Sequence, residues 1–336
     1  MSTRVVVALL AVGAALMAGC GERKETIKPG RSQPLSLMLD YFANADHAPI
    51  YAGLASGAFR DVGLDLRIRQ PSDPAAPIKQ VAAGRVDLAV SYEPEVLRAR
   101  DQGLPVTAVA ALVQKPLTSI ISLPGAGITG PEDLAYRTVG TAGIDYQHAF
   151  LQAILQRAHV DPTTVTERNL GFNLVPGLVS GQADAILGGF WNYEGIQLKQ
   201  EGRDPQIIRV DEAGVPAYDE LVLVANEDEI ANDPDPIRRF IGALSRGEAA
   251  LERDPQPGLD ALQKANPDLD PKLQRAAVRV TVPLFEAPNG KPYGWLEPKG
   301  WAAFGNFMVH AGLLKSTPDA KAYTNTLLPG QGLPEP

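Results

Sequence analysis

One cysteine, four histidines and three tryptophans in 336 residues leave several kinds of chemistry without material. A single thiol, Cys20, excludes an intramolecular disulfide. The histidines, at 47, 148, 159 and 310, show no metal-ligand spacing, so neither a metal site nor a cofactor is expected. Motifs of common enzymes are missing too: there is no G-x-S-x-G, no P-loop, no H-E-x-x-H and no strand-to-helix G-x-G-x-x-G. Residues 125–130 come near the last, but run into Pro131 and read as a loop. Positive charge is short, 31 Lys and Arg against 39 Asp and Glu, a formal balance of -8 that argues against a nucleic-acid partner. The apolar run at residues 5–17 stops well below the roughly 20 residues a membrane span needs.

What is present begins at the N-terminus. Arg4 precedes that apolar run, and small residues then lead into Ala18-Gly19-Cys20, the order of a signal peptide over residues 1–19. Leu16-Met17-Ala18-Gly19-Cys20 resembles the bacterial lipobox, whose cysteine receives lipid and becomes the first mature residue, although Met17 stands where leucine is preferred. The resemblance implies an extracytoplasmic protein anchored to a membrane through Cys20; the alternative is a leftover thiol in a discarded leader. Residues 20–34 are polar, carry Pro and Gly, and show no apolar periodicity, so a flexible tether is expected there.

About 300 residues follow, enough for two separately cored lobes. Short apolar runs at 35–39, 64–68, 86–91 and 106–113 predict strands, and 48–59, 75–83 and 94–102 predict helices between them. A second series has strands at 138–141, 165–169, 183–187 and 207–210, with helices at 146–159 and 173–180. The fold class expected is α/β: two doubly wound lobes, each a mainly parallel sheet covered on both faces. The runs 117–123 and 221–225 are read as the two joints, giving lobe 1 as 35–120 plus 224–336 and lobe 2 as 121–223. Helices at 236–253, 271–282 and 298–313 return to lobe 1.

A weak repeat supports two lobes. Residues 82–90 (AAGRVDLAV) match 179–187 (VSGQADAIL): a helix ends at glycine and an Asp opens a buried strand. The Gly and Asp are read as structural.

Ligands of open α/β sheets sit beyond the carboxyl ends of the strands. Four such ends carry distinctive side chains: Asp40-Tyr41-Phe42 through His47, Tyr92-Glu93, Thr141-Ala142-Gly143, and Gly188 through Glu194, which includes Trp191 and Asn192. Aromatic faces beside carboxylates suit a planar ligand rich in N–H donors. Tyr92 and Trp191 adjoin polar residues and are assigned to the site, whereas Phe42 and Phe190 are assigned to lobe core. Glu93 and Glu194 have two readings, ligand acceptor or first-turn residue favouring the helix dipole. His47 likewise reads as a ligand contact or as the residue before a helix containing Pro49. Asp219 and Glu220 are weaker candidates. Thr141-Ala142-Gly143 would serve an anion, yet a cleft holding at least three acids favours a neutral or cationic heteroaromatic.

His47-Ala48-Pro49-Ile50-Tyr51, then Gly57-Ala58-Phe59 and Gly63-Leu64, resemble the solute-binding proteins of ABC importers that share their fold with fungal thiamine-pyrimidine synthase. Residues 82–95 and 188–194 extend the likeness. It implies a type II periplasmic-binding fold, two lobes on a two-strand hinge, an importer permease as partner, a monomer, and a ligand such as a thiamine pyrimidine precursor, riboflavin or a sulfonate. It carries site roles onto Asp40, Tyr41, Tyr92, Glu93, Trp191 and Glu194. The synthase branch uses a pyridoxal-bearing lysine, a histidine and iron near a cysteine-rich segment. With the sole cysteine in the leader, that branch is disfavoured; Lys79 and His47 are the residues it would use.

Overall fold

The structure, a computed structural model, describes residues 32–288 and 290–331. The expected leader and tether up to residue 31, Cys20 among them, lie outside the described residues. Gln33 and Pro34, expected in the tether, instead begin β1 (Gln33–Met38), because Gln33 already pairs with Leu64.

Nine further strands follow: β2 (Leu64–Arg69), β3 (Leu88–Ser91), β4 (Val106–Val113), β5 (Thr118–Ser122), β6 (Thr138–Thr141), β7 (Thr166–Asn169), β8 (Ala185–Phe190), β9 (Gln206–Arg209) and β10 (Leu221–Asn226). They form two five-stranded sheets, ordered β2-β1-β3-β10-β4 and β7-β6-β8-β5-β9. The two orders are the same pattern. In each, four strands run parallel and one inner strand, β10 or β5, runs antiparallel to both neighbours. Those two strands are the apolar runs read as joints. Each is wholly buried, which is why it lacks alternation. The chain therefore crosses between sheets just before them, at residues 114–117 and 210–220, rather than within them.

The repeat has a structural cause. Gly84 and Gly181 take left-handed backbone, φ +63° and +74°, to end their helices. Asp87 Oδ2 then accepts the Ser36 N–H at 2.6 Å, and Asp184 Oδ2 accepts the Thr138 N–H at 2.8 Å, so each Asp fixes the neighbouring parallel strand, β1 or β6, of its own sheet.

In lobe 1, helix Ala48–Ser56 packs against Asp235–Arg253 and Gln256–Ala265. The predicted 48–59 helix is broken at Gly57, φ +80°. Helix Asp235–Arg253 presents Ile237, Phe240, Ile241, Leu244 and Leu251 to the core at helical spacing. Gly247 permits the close crossing: a Cβ there would lie 2.3 Å from the Pro49 carbonyl oxygen. Helix Gln256–Ala265 escaped the sequence reading because Pro255, Pro257 and Gly258 crowd its start.

Candidate functional site

The four strand ends converge, as the topology requires, on a cleft between the lobes, partly open to solvent. Asp40, Tyr41 and His47 come from the segment after β1 and Tyr92 from the end of β3; Ala142 follows β6, and Gly188, Phe190, Tyr193 and Glu194 come from the end of β8. Asn44, Asp46, Tyr146, Gln147 and Phe172 complete the polar and aromatic wall.

Asp40 sits at the centre of the lobe 1 side. It is 3% exposed; Oδ1 pairs with His47 Nε2 and Oδ2 accepts the Tyr92 hydroxyl, both at 2.8 Å. His47 Nδ1 accepts the Asn44 N–H at 3.3 Å, so Nε2 carries the proton that goes to Asp40. His47 thus stands in the cleft wall and also at the cap of helix Ala48–Ser56.

On the lobe 2 side Glu194 is the acid that faces the cleft. Its Oε2 accepts the Phe190 N–H at 2.7 Å, and burial pushes its carboxyl up to about 7. Asp46 is raised to about 6 by the same cause. Rings face each other across the gap: Tyr41 meets Phe172 edge-on at 5.0 Å and Tyr92 meets Tyr146 at 5.5 Å. The Tyr41 hydroxyl donates to the Phe172 carbonyl at 3.1 Å, which joins the lobes directly.

Several sequence-assigned residues lie elsewhere. Glu93 is buried, but its Oε2 accepts the Asp219 N–H at 2.7 Å, away from the cleft wall. Asp219 takes the Trp301 indole N–H, so this pair secures the second crossing against lobe 1. Trp191 is also absent from the wall: its indole donates to the Pro116 carbonyl at 3.2 Å and Arg209 lies over its ring at 5.1 Å. Thr141 is buried behind the cleft, its hydroxyl toward Glu167. Asn192, wholly buried, bridges the lobes by donating to Asp46 and Thr281 instead of facing the cleft. Phe190, assigned to core, does line it, whereas Phe42 packs on Tyr41 at 4.1 Å outside it. Tyr146, Gln147 and Phe172 were missed. The helix signal after Gly143 was the one available clue to the first two.

The wall contains no Lys or Arg among the described residues. Ala142 N–H, in the loop before helix Asp145–Arg157, is occupied by Gln147 Oε1 at 2.8 Å. Among the described residues no three His, Cys, Asp or Glu side chains cluster as metal ligands, and Lys79 lies in a separate groove with Glu95 and Arg98.

Residues 44–257 match the family described as NMT1/THI5 like. The chain belongs to that family. A formylaminopyrimidine-binding protein of Halalkalibacterium halodurans is 34% identical over 80% of this chain and 82% of its own. A putative thiamine biosynthesis protein of Haemophilus influenzae is 32% identical over 89% and 93%. A 4-amino-5-hydroxymethyl-2-methylpyrimidine phosphate synthase of Legionella pneumophila is 24% identical over 88% and 92%. Among solved structures, the alkanesulfonate-binding protein SsuA of Xanthomonas axonopodis pv. citri superposes with a TM-score of 0.68 over 88% of this chain and 99% of its own, at 16% identity. That likeness establishes the periplasmic binding protein fold, which the NMT1/THI5-like family therefore uses here.

Proposed function

We propose that this NMT1/THI5-like chain is a solute-binding lipoprotein of an ABC importer. In this reading it is a monomer held outside the cytoplasm through Cys20, and it closes on a small planar nitrogen heteroaromatic such as a thiamine pyrimidine precursor. The observation that carries the reading is the make-up of the cleft wall: Asp40, Asp46 and Glu194 between aromatic faces, without Lys or Arg among the described residues. A sulfonate or nitrate would meet three carboxyl groups, and the Ala142 N–H in the wall already bonds Gln147. An aminopyrimidine meets stacking faces and acceptors. A carboxyl group that titrates near neutrality, as Glu194 does, can accept from an exocyclic amino group and donate to the adjacent ring nitrogen. The relative named for formylaminopyrimidine binding supports this choice.

A synthase on this scaffold would need its lysine and metal ligands in the cleft, and Lys79 lies outside the wall. Capture without turnover is therefore the function inferred. Ligand touching both walls stabilises only the closed arrangement, which is the form a permease would recognise.

Titration calorimetry with 4-amino-2-methylpyrimidine, riboflavin and an alkanesulfonate tests this. Saturable binding of the pyrimidine with no product by chromatography is expected. Binding of the sulfonate or flavin in its place, or conversion of the pyrimidine, overturns it.

A further inference from the structure

The seam between the lobes contains buried acceptors that lack donors. Asn192 is 0% exposed and Asp46 2%. Asn192 Nδ2 donates to Asp46 Oδ1 at 2.6 Å and to Thr281 Oγ1 at 2.8 Å. The remaining oxygen of each partner, Asp46 Oδ2 and Asn192 Oδ1, is buried with no hydrogen-bond partner. Three donors of the groups at this seam are committed elsewhere: the Thr281 hydroxyl goes to the Ala277 carbonyl, His47 Nε2–H to Asp40, and the Asp46 N–H to Asn44. A buried acceptor without a donor is costly, more so when it belongs to a carboxylate. Asp46, unlike Asn192, also stands in the cleft wall.

The geometry points to Asp46 as a specificity-determining residue: its Oδ2 takes a second nitrogen donor of the ligand, and Asn192 couples that contact to lobe closure. This rests on the proposed capture of a heteroaromatic and narrows its class. The ligand carries an exocyclic amine or amide N–H separate from the group facing Glu194, so that both carboxyl groups are engaged at once. Asp46 Oδ1 is the lobe 1 end of the Asn192 strut, so a donor on Oδ2 offsets the cost of an unpartnered acceptor only while the seam is shut. The same contact therefore reads the ligand and favours the closed state.

Two probes separate this inference from the broader one: 4-amino-5-aminomethyl-2-methylpyrimidine and its 5-methyl counterpart, which lacks the second donor. The parent protein is expected to prefer the aminomethyl probe by about tenfold or more, the worth of one hydrogen bond to a charged group. Asp46→Asn keeps the shape and the Asn192 contact; with its fold certified by a circular dichroism spectrum like the parent's, it should lose the preference between the two probes. Asn192→Ala should reduce the preference and, by small-angle scattering with the aminomethyl probe, leave a larger open fraction. Equal affinity of the parent for both probes, or a preference that survives Asp46→Asn, overturns the assignment and gives those acceptors to a water. Failure of both probes to bind overturns the broader reading and this one with it.

Discussion

Glu220 holds Thr118 by two atoms at once: Oε2 accepts its N–H at 2.8 Å and Oε1 its hydroxyl at 2.9 Å. The same carboxylate takes the Leu117 N–H at 2.6 Å and the Tyr218 hydroxyl at 2.9 Å. One wholly buried side chain at the end of the second crossing thus fastens the end of the first. Glu220→Ala strands two backbone N–H groups and is expected to cost about 3 kcal/mol or more. Urea denaturation followed by circular dichroism measures it, and an unchanged midpoint would show that the crossings are held by something else.

Phe190 and Trp191 are adjacent but serve different places. Phe190 faces the cleft, whereas Trp191 is tied to Pro116. Phe190→Ala is expected to weaken pyrimidine binding about tenfold, about 1.4 kcal/mol, and Trp191→Phe to change it by less than about twofold. Calorimetry on both variants decides, and the reverse ranking would return Trp191 to the site.

Burial raises the Glu194 carboxyl from 4.5 to about 7, so the folded state favours its neutral form. Its contribution to stability is complete below pH 4.5 and is lost as pH rises through 7. Thermal unfolding between those limits should show the melting temperature falling with pH. Glu194→Gln, which cannot ionise, should lessen that slope by one group's share, since burial raises Asp46 and Glu220 into the same range; an identical profile in the variant would locate the titration elsewhere.

Gly247 lies where helix Asp235–Arg253 crosses helix Ala48–Ser56, and an added Cβ would also sit 2.8 Å from the Gly53 nitrogen. Both obstacles are backbone, so the helices must separate. Gly247→Ala is expected to destabilise by about 2–3 kcal/mol despite its better helix propensity. A melting temperature at or above that of the parent would contradict the crossing.

The cleft was legible as a place before it was legible as a set of residues. Asp40, Tyr41, His47, Tyr92 and Glu194 were assigned from strand ends rich in acids and rings, and all five stand in the wall. Trp191 went wrong through a local cause. Alternation along β8 fails at Gly188, φ +111°, and the pairing of β5 with β8 shifts register between Ser119 and Ile120. A period-two reading cannot pass such a bulge, so the face of each residue beyond it stayed open. Of the two readings of Glu93, the structure takes the first-turn one, at the head of helix Glu93–Asp101, and its carboxylate accepts the Asp219 N–H, 126 residues away.

The sequence by itself determined the two α/β halves, their shared turn chemistry at Gly84-Asp87 and Gly181-Asp184, and the end of each sheet where a ligand would enter. These follow from periodicity, left-handed glycine and short-range capping, all of which act within a few residues. Tertiary structure alone decided that β10 and β5 are the antiparallel inner strands of their sheets. It also decided that Phe190 rather than Trp191 faces the cleft, and that Asn192 joins the lobes at Asp46. Each depends on which distant segment supplies a hydrogen-bond partner or a packing surface, and no local pattern encodes that choice.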